Sequence, residues 1–577
     1  MLEVTVRLGW LCFPKMSQVE NEAVVVVTKS ESEKNQQFRQ LPTTLVSVVE
    51  LDTIMPPGII AIRVLFWMAI KSINVLYIPV LIKRVFRKSR TCPPVKNELL
   101  LLSASELAER IRQQKVTCES VIKAYIARIQ QVNPIINAVI EDRYQAAIDE
   151  AKRIDQYLSS SSRNLDEIKE KQPLLGVPIS IKGSIEVAKM KSTAGMVTRA
   201  NVIADHDAVT VKYAREAGAI LLVTTNIPEL CLNWESTNKL VGTTKNPYDT
   251  SRTCGGSSGG EASLLATAGS VIGIGSDIAG SLRLPAHFCG VWGHKPTPGT
   301  VSSVGHYPSC KHEDVWKAAF TLGPMSRYAG DLKLLLQVIS EPNFRNKLRL
   351  HEPVDVKELR VFYVDDIQSA LTGKVNEECL EAIYNVVEHL EQICHTNAEK
   401  IDLPLMKHAP ELSTLSLLDI DDVDNLFSGR GEGSITELFR YMTFRSKSVL
   451  TAILYGVLRK LSTHLPRSTT EYCIKKLEEL KTDFVKILGT DGVFIIPSFT
   501  AEAHYHGDIY RKVFDSSYLS IFNSLGLPVT NCPVKFSKNG LPIGVQVVAA
   551  PYCDRLTLSV AAEIEREFGG WRPPYKT

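Results

Sequence analysis

Two stretches, CGGSSGG at Cys254–Gly260 and SDIAGSLRLPAHFCG at Ser276–Gly290, decide how this 577-residue chain is read. A phosphate-binding loop would need a lysine after the second glycine of G-x-x-x-x-G, and none follows Gly259 or Gly260. A nucleophile elbow, G-x-S-x-G, fits in two registers, centred on Ser257 or Ser258. That signal is weak, because any GGSSGG string fits twice. It would also require an ordered Asp and His downstream, and none of His287, His294 or His306 is singled out by its surroundings. Four glycines around two serines can equally make a flexible surface turn.

Around these stretches, short β-branched runs alternate with helical patterns. The runs are Ala219–Thr225, Val271–Gly275, Gly492–Ile496 and Val545–Ala549. The alternation predicts an α/β fold with a largely buried central sheet. Ser103 and Glu106 have the spacing of a capping box. Leu107, Ile111, Val121, Ile122, Tyr125 and Ile126 then recur at helical spacing. Residues 340–480 read as mainly helical, and no internal repeat or Gly/Ser linker divides the region. Lys182 follows the apolar residues Val177, Pro178, Ile179 and Ile181, a setting where a lysine is rarely a plain surface residue.

Composition excludes several classes. At 44% hydrophobic and 22% charged the chain is globular, neither wholly disordered nor collagen-like. A net charge of +3 does not fit a dedicated nucleic-acid binder. The 12 cysteines include no C-x-x-C pair, so neither a zinc ribbon nor a thioredoxin-like motif is expected. They read as reduced packing residues.

The small net charge hides two basic islands. Residues 1–57 read as a disordered extension, polar and charged at Lys29–Arg39 and without the pattern of a signal peptide. Met55 is a candidate second start of translation. Gly58–Ile82 is apolar except at Arg63, Lys71, Ser72 and Asn74, and is long enough to cross a hydrocarbon core as a helix. Arg63, Lys71 and Asn74 fall within an arc of about 80°. The segment therefore reads as a spanning helix with one polar stripe, or as a helix lying in the interface, with a buried core helix as the alternative that the basic residues after it disfavour. Lys83, Arg84, Arg87, Lys88 and Arg90 follow as a membrane-proximal basic flank, so residues 58–90 are expected to form a single N-terminal anchor. The second island is Glu437–Arg467, with six cations against one acid among many apolar and aromatic residues. It makes 435–467 a candidate membrane-facing cap. A surface helix packed on its own core is the alternative. The two islands hold ten net positive charges, which leaves the rest of the chain near −7.

The glycine-serine loop does not stand alone. GVPISIK (Gly176–Lys182), TNIPE (Thr225–Glu229), NPY (Asn246–Tyr248), GGSSGG (Gly255–Gly260) and SDIAGSLRLPAHFCGVWGHKPT (Ser276–Thr297) occur in order. LGLPVTNCP (Leu525–Pro533) and GLPIGVQVVA (Gly540–Ala549) follow. This set, spread over roughly residues 99–570, resembles the amidase signature family, and within it the fatty acid amide hydrolases. The resemblance implies one large α/β catalytic domain over 95–577. Its central mixed β-sheet would be flanked by helices on both faces and preceded by the N-terminal apolar helix. It implies a Ser–cis-Ser–Lys triad with Ser281 as nucleophile, Ser257 as bridging serine after a cis peptide at Gly256, and Lys182 as base. The backbone N–H groups of Ile278, Ala279, Gly280 and Ser281 would hold the oxyanion. Ser258, Asp277 and Arg283 would give structural support.

The chemistry implied is hydrolysis of a lipid amide, such as a long-chain primary amide or an N-acylethanolamine, through an acyl-enzyme. Neither a metal nor an organic cofactor is expected, and no nucleic acid. The expected partners are the lipid amide and a membrane, of the endoplasmic reticulum or a lipid droplet. The resemblance also suggests a homodimer. Two other readings stay open: a related amidase or esterase acting on smaller substrates, and an impaired membrane lipid-binding protein.

An amide demands a strong nucleophile, a proton for a poor leaving amine and a stabilised oxyanion. Lys182 can accept a proton only when neutral, and bringing its pKa from about 10.4 to about 7 takes roughly 4–5 kcal/mol, which desolvation can supply. Two positions depart from the family pattern. Ala279 stands where glycine is usual, and a positive φ there would strain it by about 1–2 kcal/mol. Gly183 stands where an acid often follows the lysine.

Overall fold

The computed structural model describes residues 59, 62–64, 89–160, 164–310, 313–418 and 433–574. The expected extension over 1–57 and most of the expected anchor over 58–90 lie outside them.

The chain forms strands β1 (Val139–Asp142), β2 (Pro178–Lys182), β3 (Ile220–Thr225), β4 (Thr237–Asn238), β5 (Gly242–Thr243), β6 (Ile272–Asp277) and β7 (Trp292–Lys295). After them come β8 (Thr321–Ser326), β9 (Arg360–Tyr363), β10 (Glu399–Lys400), β11 (Gly492–Pro497), β12 (Val529–Phe536) and β13 (Pro542–Ala549). Eleven of these form one mixed sheet in the order β1-β3-β2-β6-β8-β7-β12-β13-β11-β9-β10, while β4 and β5 make a separate ribbon. The four β-branched runs named from sequence fall on β3, β6, β11 and β13. Every residue of β2, β3, β6, β7 and β8 is buried, which is why these strands read as apolar runs without alternation.

Helices α1 (Ala104–Arg112) and α2 (Cys118–Ile136) open the catalytic region. Ser103 and Glu106 make both halves of the expected capping box. Helix α2 buries Val121, Ile122, Tyr125 and Ile126, the positions picked out by helical spacing. Helices α3 (Gly259–Ala266) and α4 (Arg283–Cys289) each start just beyond a serine of interest. Helix α5 (Ala409–Leu418) lies in the long helical region, and α6 (Ser434–Met442) and α7 (Leu450–Ser462) form the second basic island. The eleven described cysteines are all free, and most are buried.

Ile59, Ile62, Arg63 and Val64 are helical, with Ile59 and Ile62 buried. The Arg63 guanidinium pairs with the buried carboxylate of Glu411 on α5 and with His408 just before it. At this position the expected polar stripe thus faces a buried acid of the catalytic region. Among the described residues no helix is long and apolar enough to cross a membrane.

Candidate active site

The site lies where β2 and β6, neighbouring parallel strands, run out at their C-terminal ends. Lys182 is the last residue of β2 and is wholly buried. Its Nζ is hydrogen-bonded to Ser257 Oγ at 2.7 Å and to Ser276 Oγ at 2.8 Å, with the Ser276 carbonyl at 3.3 Å. Burial penalises the ammonium form and pushes the Lys182 pKa below its ordinary value, against weaker opposing pulls from Cys231, Asp277 and Glu261.

Ser257 follows a cis peptide from Gly256 and is 1% exposed. A side chain at Gly256 would meet the Asn233 carbonyl at 2.7 Å, so only glycine lets this loop lie against the 233–235 backbone. Ser236 braces the loop by donating to the Gly255 carbonyl at 3.1 Å and accepting from Gly259 N–H at 3.1 Å. Ser258 ties it to the second stretch. Its N–H donates to the Ser281 carbonyl at 3.1 Å, and its hydroxyl donates to the Ser276 carbonyl at 3.3 Å.

Ser281 sits on the turn between β6 and α4 and is 4% exposed. Its hydroxyl makes no hydrogen bond among the described residues. Asp277 and Arg283, both fully buried, pair at 3.0 Å beneath the turn. Arg283 also donates to the Leu519 carbonyl, Gln546 and Asn523. Burial alone would raise the Asp277 carboxyl; the Arg283 guanidinium and its hydrogen bonds override that and hold it below its usual range.

The Asp277 carboxylate also accepts from Gly280 N–H at 2.8 Å and from Leu282 N–H at 3.0 Å. The Gly280 N–H, one of the four expected oxyanion donors, is thus hydrogen-bonded to Asp277. The N–H groups of Ile278, Ala279 and Ser281 donate to nothing among the described residues. The strain foreseen at Ala279 does not arise, since the positive φ of the turn, 98°, falls on Gly280. At Gly183 a Cβ would lie 2.6 Å from the Thr225 carbonyl and 2.3 Å from Ile140 Cδ1, so no acid fits there.

The structure thus brings Lys182, Ser257, Ser258 and the 276–283 turn together. Sequence reasoning passed over four neighbours. Ser276 is a second hydroxyl on Lys182. Glu261, buried on α3, accepts from Thr225 at 2.7 Å and from Ser180, and its pKa is raised to about 7, chiefly by burial. Trp234 donates its indole N–H to the Ala279 carbonyl at 2.9 Å. Lys295 is a second wholly buried lysine. The first two offered no signal beyond that of ordinary strand and helix residues. Among the described residues no cluster of His, Cys, Asp and Glu could hold a metal ion.

Leu519 packs against Gly280, close enough that a Cβ there would come within 2.5 Å of it. Leu284, Phe288, Phe499 and Leu519 form one cluster with Trp234 against it, and Ala194, Met196 and Leu230 form another with Leu232 and Tyr307.

The Amidase family matches residues 120–558 of this chain. The chain is 40% identical over 497 residues to fatty-acid amide hydrolase 2-B of Danio rerio, covering 85% of this chain and 93% of that one. It is 39% identical over 499 residues to fatty-acid amide hydrolase 2 of Homo sapiens, again covering 85% and 93%. Among solved structures it is similar to a fatty acid amide hydrolase, with a TM-score of 0.67 at 22% identity over 83% of this chain and 86% of that one.

Proposed function

The chain belongs to the amidase signature family, a hydrolase related to fatty-acid amide hydrolase 2, and on that premise we propose that it cleaves long-chain fatty acid amides at a membrane surface. The observation that carries the reaction type is the wholly buried Lys182, its Nζ 2.7 Å from the hydroxyl of Ser257.

Neutral Lys182 draws a proton through Ser257 from Ser281, and Ser281 attacks the amide carbonyl. The unbonded N–H groups of Ile278, Ala279 and Ser281 receive the oxyanion. Ser257, backed by the protonated lysine, returns a proton to the leaving amine, and water then releases the acid from Ser281. Asp277 and Arg283 hold the turn and take no proton.

A lipid substrate is supported by the likeness to fatty-acid amide hydrolase 2 and by the second basic island. On α6 and α7 and between them, Phe439, Met442 and Leu461 are exposed, and Phe444 is 98% exposed. Arg440, Arg445, Lys447 and Lys460 lie among them. Apolar side chains turned to water beside cations suit an anionic lipid surface. The segment between the two helices is joined to the loop after β3 and to the turn between β4 and β5. Glu229 accepts from Val449 N–H at 2.8 Å, and Lys239 donates to the Ser446 carbonyl at 2.9 Å. In this reading the island frames the substrate entrance, and the anchor over 58–90 adds a second membrane contact.

A fluorophosphonate probe tests the reaction type. Labelling of the wild type that vanishes in Ser281→Ala supports the hydrolase; an unlabelled wild type would leave a lipid-binding protein. A hydrolysis panel of acyl amides of graded length, run on detergent-solubilised protein, tests the substrate class. Preference for short acyl groups would overturn it. A chain lacking both 58–90 and 435–467 that still pellets with membranes would overturn the docking.

A further inference from the structure

We propose that Trp234 is a positioning residue for the oxyanion site, acting through the peptide that joins Ala279 to Gly280. This rests on Ser281 being the nucleophile.

That peptide is held at both ends. Its carbonyl accepts from the Trp234 indole N–H at 2.9 Å, and its N–H donates to Asp277 at 2.8 Å. A peptide unit is planar, so two hydrogen bonds on opposite edges fix its rotation. The N–H groups that remain unbonded near Ser281 belong to the flanking peptides, at Ala279 on one side and Ser281 on the other. Their directions follow from the pinned plane through the dihedral angles of Ala279 and Gly280. Gly280 has a φ of 98°, a region where glycine has no steric barrier to hold it. Asp277 belongs to the strand that carries the turn. Trp234 is the external hold, 45 residues away in sequence.

Trp234 is well placed to set two parts of the site against each other. Its main chain lies against Gly256, where a Cβ would come within 3.0 Å of the Trp234 carbonyl carbon. The next residue after Gly256 is Ser257. One residue thus touches the backbone before the bridging serine and, through its indole, the turn bearing the nucleophile. Its ring rests on the cluster of Leu284, Phe288 and Leu519, which limits its freedom. A pre-aimed donor pair is worth more than a mobile one, because nothing needs to reorganise as charge develops on the carbonyl oxygen.

Trp234→Phe keeps an aromatic ring on the cluster and removes the donor. Three readouts on detergent-solubilised protein separate positioning from packing: kcat and KM on oleamide, inhibition by an oleoyl trifluoromethyl ketone that forms a tetrahedral adduct, and inhibition by oleic acid. The expected result is a loss of about tenfold in kcat with KM within about twofold, smaller than the about 10²–10³-fold cost of deleting a donor outright. Ketone affinity falls by the same factor, oleic acid affinity is unchanged, and the pH profile keeps its midpoint. Trp234→His, which retains a ring N–H, recovers part of the loss. Wild-type kcat and ketone affinity in Trp234→Phe would overturn the proposal. So would equal losses of ketone and oleic acid affinity, or equal losses in the His and Phe variants. None of these outcomes touches the nucleophile, whose own failure would show as wild-type protein left unlabelled by the fluorophosphonate.

Discussion

Lys182 and Lys295 are both wholly buried, each the last residue of a strand, β2 and β7. Burial lowers the pKa of both. For Lys295 it does so to about 7, helped by the nearby charge of Arg283. Their hydrogen bonds differ. Lys182 reaches two hydroxyls, at 2.7 and 2.8 Å, and one of these belongs to the loop beside Ser281. Lys295 makes one hydrogen bond among the described residues, to the carbonyl of Pro296 at 3.3 Å. A carbonyl has no proton to give. Burial can therefore discharge both lysines, but Lys182 alone of the two has hydroxyl partners through which the proposed proton transfer could run.

The strongest way to break this comparison is to remove each amine in turn. Lys182→Met is expected to lower kcat/KM on oleamide by about 10³-fold or more, as for loss of a general base. Lys295→Met, which fills the same volume without a polar head, stays within about tenfold of wild type. Equal losses would mean that burial alone marks a lysine as functional.

A finer cut separates the two hydroxyls on Lys182. Ser257→Ala removes the hydroxyl through which the proposed relay reaches Ser281 and should cost about 10²–10³-fold in kcat. Ser276→Ala removes a partner that leads nowhere, with an expected loss under about tenfold. Single-turnover acylation rates measure both. A larger effect at Ser276 would reassign the relay.

The pH dependence sharpens the contrast further. kcat/KM should rise with pH as Lys182 loses its proton, with a midpoint below the ordinary lysine range. The groups around it are Cys231, Asp277 and Glu261, which oppose the shift, and His306, a buried imidazole pushed down to about 3 mainly by burial and also by Lys182. Lys295→Met should leave that midpoint in place.

The smallest effect is on stability. Between about 7 and the ordinary lysine value the unfolded chain holds a proton that buried Lys295 has lost, so stability rises with pH through that window. Each such lysine contributes a slope of at most about 1.4 kcal/mol per pH unit. Lys295→Met should reduce the measured slope in urea unfolding without reversing it. An unchanged slope would show that Lys295 stays charged in the folded chain.

Much of this was legible without coordinates. The buried strands β3, β6, β11 and β13 announced themselves as short β-branched runs, and the α1 cap as Ser103 with Glu106. Such signals arise within a few residues of chain. Lys182 stood out through the resemblance of GVPISIK to the family motif, and the apolar residues before it agreed. Lys295 did not, because Trp292, Gly293 and His294 before it make no apolar run, and its burial depends on strands that pair with β7 from distant parts of the chain. The worry at Ala279 was a question of one dihedral angle, and the turn answered it by placing the positive φ one residue later, where glycine already stood.

The α/β class and the order of the motifs were readable from the chain alone, since composition, local period and motif order are properties of the sequence, and the family resemblance those motifs carry pointed to Lys182, Ser257 and Ser281. Tertiary structure decided what each polar group is bonded to. It gave Gly280 N–H to Asp277, the Ala279 carbonyl to Trp234, the Lys182 amine to two hydroxyls, and the space beside Gly183 to Ile140 and the Thr225 carbonyl. Hydrogen bonds and excluded volume act between neighbours in space, and those neighbours lie tens of residues apart in the chain.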